Sequence, residues 1–111
     1  MIALMGGSLG ANESLIGNNW SGVKSSVALS PSRFGLNLEV PLRNILLIAG
    51  EQDESSSMGW NYAGEATIIY EAADEPKKLV LVPGAEHGLE LMAIGGINQE
   101  ILEWINARFE D

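Results

Sequence analysis

Ser8 stands between glycines in Gly6-Gly7-Ser8-Leu9-Gly10, directly after the apolar run Ile2-Ala3-Leu4-Met5. That pattern reads as a strand feeding a tight turn with a serine at its apex, because glycine tolerates strained backbone and close approach. A serine hydroxyl is a poor nucleophile at neutral pH. It needs a base within hydrogen-bond reach, and the base needs a carboxylate to orient it. The chain holds one histidine. His87 lies in Pro83-Gly84-Ala85-Glu86-His87-Gly88, after the apolar run Leu79-Val80-Leu81-Val82, and Asp53 lies in Gly50-Glu51-Gln52-Asp53, after Ile45-Leu46-Leu47-Ile48-Ala49. With no cysteine in the chain, covalent chemistry falls to a hydroxyl, an amine or a carboxylate, and thiolate metal ligands and disulfides are excluded.

Each of the three residues also has a plainer reading. Ser8 can serve as a turn serine capping the following helix. His87 can be a solvated loop side chain. Asp53 can be a helix N-cap with Glu54 assisting in the first turn. Glu51 and Glu54 remain alternatives to Asp53 as the third member, whereas Glu86, adjacent to the histidine, is a worse candidate because neighbouring side chains diverge.

The elements that must position these groups follow from the hydrophobic pattern. Residues 2–5 form a strand, and residues 9–18 a short helix stopped by Gly17-Asn18-Asn19. Val27-Ala28-Leu29 is a brief strand, and residues 32–43 are polar and irregular. Residues 45–49 form a strand buried on both faces, as continuous apolar runs in parallel sheets are. Met58, Tyr62, Ala66, Ile69 and Ala73 recur at helical spacing over residues 55–73, although Thr67-Ile68-Ile69-Tyr70 alone has strand character. Residues 79–82 form the last strand. Ile97, Ile101, Trp104 or Ile105, and Phe109 mark a terminal amphipathic helix. This alternation predicts an α/β fold of four parallel strands with right-handed crossovers and helices on both faces. Ser8, Asp53 and His87 then all fall at carboxyl ends of strands, the edge where open α/β sheets bind ligands.

Composition narrows the function classes. The 111 residues make one domain, and a chain of that size buries roughly 60–70% of its unfolded surface. Six basic against 15 acidic residues give a net charge of −9, which repels phosphate backbones and anionic lipid, so no nucleic-acid or membrane partner is expected. The absence of an apolar run near ~18 residues and of a signal segment predicts a soluble, cytoplasmic protein. A phosphate cradle at Gly6–Gly10 is disfavoured because neither glycine-rich phosphate motif is present.

The wider text resembles the α/β-hydrolases, especially the small serine esterases and dienelactone-hydrolase-like members. The resemblance runs along nearly the whole chain, in Met5-Gly6-Gly7-Ser8-Leu9-Gly10-Ala11-Asn12, Leu29-Ser30-Pro31, Ala49-Gly50-Glu51-Gln52-Asp53 and Val82-Pro83-Gly84-Ala85-Glu86-His87-Gly88. It implies a nucleophile elbow with Gly6 and Gly10 flanking Ser8, an acid at Asp53 and a base at His87, in the family's chain order. It further implies hydrolysis of a small carboxylic ester through an acyl-enzyme, with no cofactor or metal, and one oxyanion donor in the Leu9 backbone N–H. Two features depart from the family. The early strand whose loop supplies the second oxyanion donor is missing, and residues 2–5 become an apolar edge strand, an association surface that predicts a homodimer or higher oligomer through the amino-terminal region. Glu13, on the elbow helix where such relatives carry an apolar residue, is either an adaptation to a lost packing partner or a solvated glutamate. The competing expectation is a non-catalytic or weakly active α/β module, half of a split or truncated hydrolase, that needs self-association or a partner.

Overall fold

The computed structural model describes residues 1–110. Four strands, β1 (Ile2–Gly7), β2 (Val23–Leu29), β3 (Ile45–Gly50) and β4 (Lys77–Val82), form one sheet in the order β1-β2-β3-β4, every neighbour parallel. Three helices, α1 (Leu9–Ile16), α2 (Tyr62–Ala72) and α3 (Ile97–Phe109), flank it. Parallel neighbours require crossover connections; the crossover helices α1 and α2 cover one face and α3, after the last strand, covers the other, so the expected three-layer α/β fold is borne out.

Strand alternation sorts the core into two layers. Ala28, Ile45, Leu47 and Ala49 point to the face where Ala11 and Leu15 of α1 and Ala66 and Ile69 of α2 pack. Val27, Leu29, Leu46, Ile48 and Val82 point to the opposite face, against Leu91 and Ile97 and Ile101 of α3. Strand β3 is buried at every residue because it has a strand on each side and a helical layer on each face.

Strand β1 runs two residues beyond the expected 2–5, the first helix ends at Ile16 and passes into a 3₁₀ turn over Gly17–Asn19, β4 starts two residues before the expected Leu79, and three larger differences have local reasons. Strand β2 starts at Val23, ahead of the expected Val27, because its polar residues are satisfied from the helices: Ser26 Oγ donates to Ser14 O at 2.7 Å, and Ser25 Oγ accepts from Trp104 Nε1 at 2.8 Å. A strand interior tolerates serine when its hydroxyl is paired. Helix α2 starts at Tyr62, seven residues after the expected Ser55. Gly59 takes a positive φ of 80°, Asn61 caps the helix by accepting from Gly64 N at 2.8 Å, and Met58 is an exposed loop residue and no part of the helical stripe. The 67–70 segment is helical, with Ile69 buried and Thr67 Oγ1 donating to Ala63 O. Finally, a 3₁₀ segment over Gly88–Ala93, absent from the expectation, follows the His87 loop and seats Leu91 in the core.

Strand β1 lies at the sheet margin, as expected of residues 2–5. Ile2 and Met5 are exposed, and Leu9, Trp20 and Glu13 are exposed on the adjoining helix and turn. Among the described residues no helix is long and apolar enough to cross a membrane.

Candidate active site

Ser8 joins β1 to α1 at φ 58° and ψ −117°, a region that L-residues with a side chain rarely occupy. The turn is held from both ends. Ser8 N–H donates to Leu29 O at 2.9 Å, and Ser8 O accepts from Ala11 N at 3.0 Å. A Cβ at Gly6 would collide with the Gly10 carbonyl, so this strand-to-helix crossing requires glycine there. Gly10 is different: a Cβ on it would meet open space, so of the two flanking glycines only Gly6 is dictated by contact.

Two further strand ends converge on the same point. His87 follows β4, and its Nε2 lies 3.0 Å from Ser8 Oγ. Asp53 follows β3, and its Oδ2 lies 2.6 Å from His87 Nδ1. The three residues, 79 positions apart at the extremes, thus form one line from hydroxyl to imidazole to carboxylate. Parallel strands make this possible, because all their carboxyl ends open onto one edge. Glu51 and Glu54 are exposed, and it is Asp53 that meets the imidazole.

Asp53 is fully buried, unlike the serine and histidine. Burial pushes its carboxyl up, but the hydrogen bonds from Ser55 and His87 outweigh that, and the group is held below the ordinary carboxylate range. Ser55 Oγ and Ser55 N both donate to Oδ1, at 2.6 and 3.1 Å. An ionised carboxylate only accepts hydrogen bonds, so Nδ1 carries a proton toward Asp53, and in the neutral imidazole Nε2 is the acceptor that faces the Ser8 hydroxyl.

The sequence expectation missed Ser30. It follows β2 directly, with a positive φ of 59°, and is fully buried. Its Oγ accepts from Gly88 N at 2.9 Å and donates to Asp53 Oδ2 at 3.4 Å, tying the residue after the histidine to the acid. The signal was the serine between strand and proline in Leu29-Ser30-Pro31. Tyr62 was legible only as a helical core residue, yet its ring packs at 4.6 Å, centroid to centroid, on the His87 imidazole.

The chain matches no protein-family model, no curated protein and no solved structure.

Proposed function

We propose that this chain is a serine hydrolase of small carboxylic esters, with Ser8, His87 and Asp53 as its triad. The observation that carries the reading is the unbroken line from Ser8 Oγ through the imidazole to a buried carboxylate, with the serine in strained backbone geometry. Strain of that kind persists only where surrounding structure enforces it. The motif's resemblance to the α/β-hydrolase elbow supports the same reading.

In the mechanism, Ser8 Oγ attacks the ester carbonyl carbon as its proton passes to His87 Nε2. Asp53 holds the imidazole in the tautomer that accepts this proton and stabilises the imidazolium. The tetrahedral intermediate collapses, the carbon–oxygen bond to the alcohol breaks, and Nε2 returns the proton to the leaving oxygen. Water then attacks the acyl-serine, again giving its proton to Nε2, and the carboxylic acid leaves with the Ser8 hydroxyl restored. The Leu9 amide, which opens α1 and has no intrahelical acceptor, is the donor an elbow offers the oxyanion. A site with one such donor in place of two turns over roughly 10²–10³ more slowly. Hydrolysis of a chromogenic short-chain ester by the purified chain tests the reading. We expect slow turnover that Ser8→Ala abolishes, and equal rates in the two proteins would refute it.

A second reading is favoured by β1. Among the described residues its outer edge has no strand beside it, and Ile2, Met5 and Trp20 are exposed around it. Unpaired strand edges recruit another chain. In this reading the module reaches full activity only as a homodimer through that edge, and specific activity then rises with protein concentration. Light scattering coupled to size exclusion distinguishes the two readings: an 11.9 kDa species at micromolar concentration would remove the dimer.

A further inference from the structure

A row of aromatic rings leads away from the triad. Tyr62 packs on His87 at 4.6 Å, Trp60 meets Tyr62 edge-on at 6.4 Å, and Phe34 meets Trp60 at 6.3 Å. These separations lie within the range of favourable ring pairs. Exposure rises along the row, from buried Tyr62 through half-buried Trp60 to Phe34, which is 64% exposed.

The outermost ring is exposed, yet its backbone is fastened on two sides. Asn12, one turn into α1 from the nucleophile, donates through Nδ2 to Phe34 O at 2.7 Å, and its Oδ1 accepts from Ser32 N. Arg33, the residue before Phe34, forks onto Glu65 of α2, with Nε on Oε1 at 3.2 Å and a terminal nitrogen on Oε2 at 2.9 Å. The 32–34 segment therefore bridges the two helices and carries a water-facing aromatic on a rigid base. Burial of Phe34 against the core does not explain such fastening, since most of the ring is not buried. The ring thus projects from a fastened backbone and offers an open apolar face beside Trp60.

We propose that Phe34, Trp60 and Tyr62 form the subsite for the alcohol portion of the ester, and that the preferred substrates carry an arylalkyl or similarly flat apolar alcohol. The inference rests on the serine-hydrolase reading of Ser8 and His87. The alcohol side is assigned because the leaving oxygen takes its proton from the imidazole, so the alcohol's first carbons lie beside His87, where the row begins.

The test compares kcat/KM for 2-phenylethyl acetate and ethyl acetate, whose alcohols are of similar basicity, so that the ratio reads binding of the ring. The wild-type ratio is expected to be about tenfold, in the range that an apolar pocket discriminates. Phe34→Ala and Trp60→Leu should each lower the ratio several-fold, and the double variant should bring it close to one. Phe34 is exposed, so its truncation leaves the core intact. Ethyl 4-phenylbutanoate against ethyl butanoate forms the acyl arm. A preference appearing there instead would overturn the assignment to the alcohol. The second readout does not need turnover: 2-phenylethanol binding to the Ser8→Ala protein, followed by saturation-transfer NMR, should disappear when Phe34→Ala and Trp60→Leu are added. Binding lost in this way, together with no esterase activity in the wild-type chain, would keep the subsite and remove the hydrolase reading. Activity present, with neither the ratio nor the binding altered by the two substitutions, would remove the subsite and keep the hydrolase.

Discussion

Strands β3 and β1 belong to one sheet and read alike in sequence, yet they meet different surroundings. Every residue of β3 is buried, whereas none of β1 is. The cause is position. Among the described residues β3 has neighbours on both edges and helices on both faces, while β1 has β2 on one side only. The acid of the proposed triad follows the strand with the most support, and the nucleophile follows the strand with the least. The triad is thus as secure as the turn at Ser8, which is held by Leu29 of β2 and by its own helix and owes little to the outer edge of the sheet.

The largest expected effects break the relay itself. Ser8→Ala and His87→Ala should each lower ester turnover by about 10⁶, with the double variant scarcely worse, because the pair acts as a unit. Asp53→Asn should cost less, about 10⁴, by leaving the imidazole in the wrong tautomer. Initial rates against enzyme concentration check all three. A double variant losing the product of the single losses would mean that serine and histidine act separately.

The strand comparison is sharpened by stability. Leu47→Ala, in β3, should destabilise the fold by about 2–5 kcal/mol through a core cavity. Ile2→Ala, on the half-exposed margin, should cost no more than about 0.5 kcal/mol. Urea unfolding of the two variants measures the contrast, and equal losses would show that β1 is covered in solution, as a dimer through that edge requires.

Much of this was legible in the residues. The continuous apolar run at 45–49 identified the central strand, and the motifs at Ser8, Asp53 and His87 stood after their strands in an order that the structure brings together. What escaped was polar. Ser25 and Ser26 hid the start of β2, because single residues do not reveal that Trp104 and Ser14 satisfy their hydroxyls. Ser30 stood in Leu29-Ser30-Pro31 with no role attached, since its partners at Gly88 and Asp53 are 58 and 23 residues away. The 55–61 segment mimicked a helix because its apolar spacing is right, while Gly59 and the Asn61 cap, which decide the matter, carry no hydrophobic signal.

Ser30 supplies a smaller test. Ser30→Ala leaves the Gly88 amide without its buried acceptor, at about 1–3 kcal/mol, and keeps a side chain at positive φ. Ser30→Gly removes the same oxygen and relieves the backbone. Both should slow turnover, with glycine the more stable of the two. Full activity in both would show that Asp53 needs no link to the Gly88 loop.

The smallest effect is a pH dependence of stability. Burial pushes the Glu65 carboxyl up, but the hydrogen bonds and charge of Arg33 outweigh it and hold the group below its ordinary value. A carboxyl lowered in the folded state binds fewer protons there than in the unfolded chain, so its contribution is present above the ordinary carboxylate range and lost as pH falls through the lowered value. Asp53 behaves alike. Glu65→Gln should therefore weaken the fold at neutral pH and flatten the decline in acid, and urea midpoints measured down the pH scale check this. An unchanged acid limb would mean that the Arg33 pair does not persist in solution.

The proposed function requires Ser8 to be a nucleophile activated by His87. Intact-mass spectrometry after exposure to a fluorophosphonate tests it most directly, because attack by Ser8 Oγ on phosphorus expels fluoride and leaves a stable adduct even where ester turnover is slow. One adduct per chain is expected, on the peptide containing Ser8, absent from Ser8→Ala and strongly slowed in His87→Ala. An unlabelled wild-type chain, or labelling undiminished in Ser8→Ala, would contradict it.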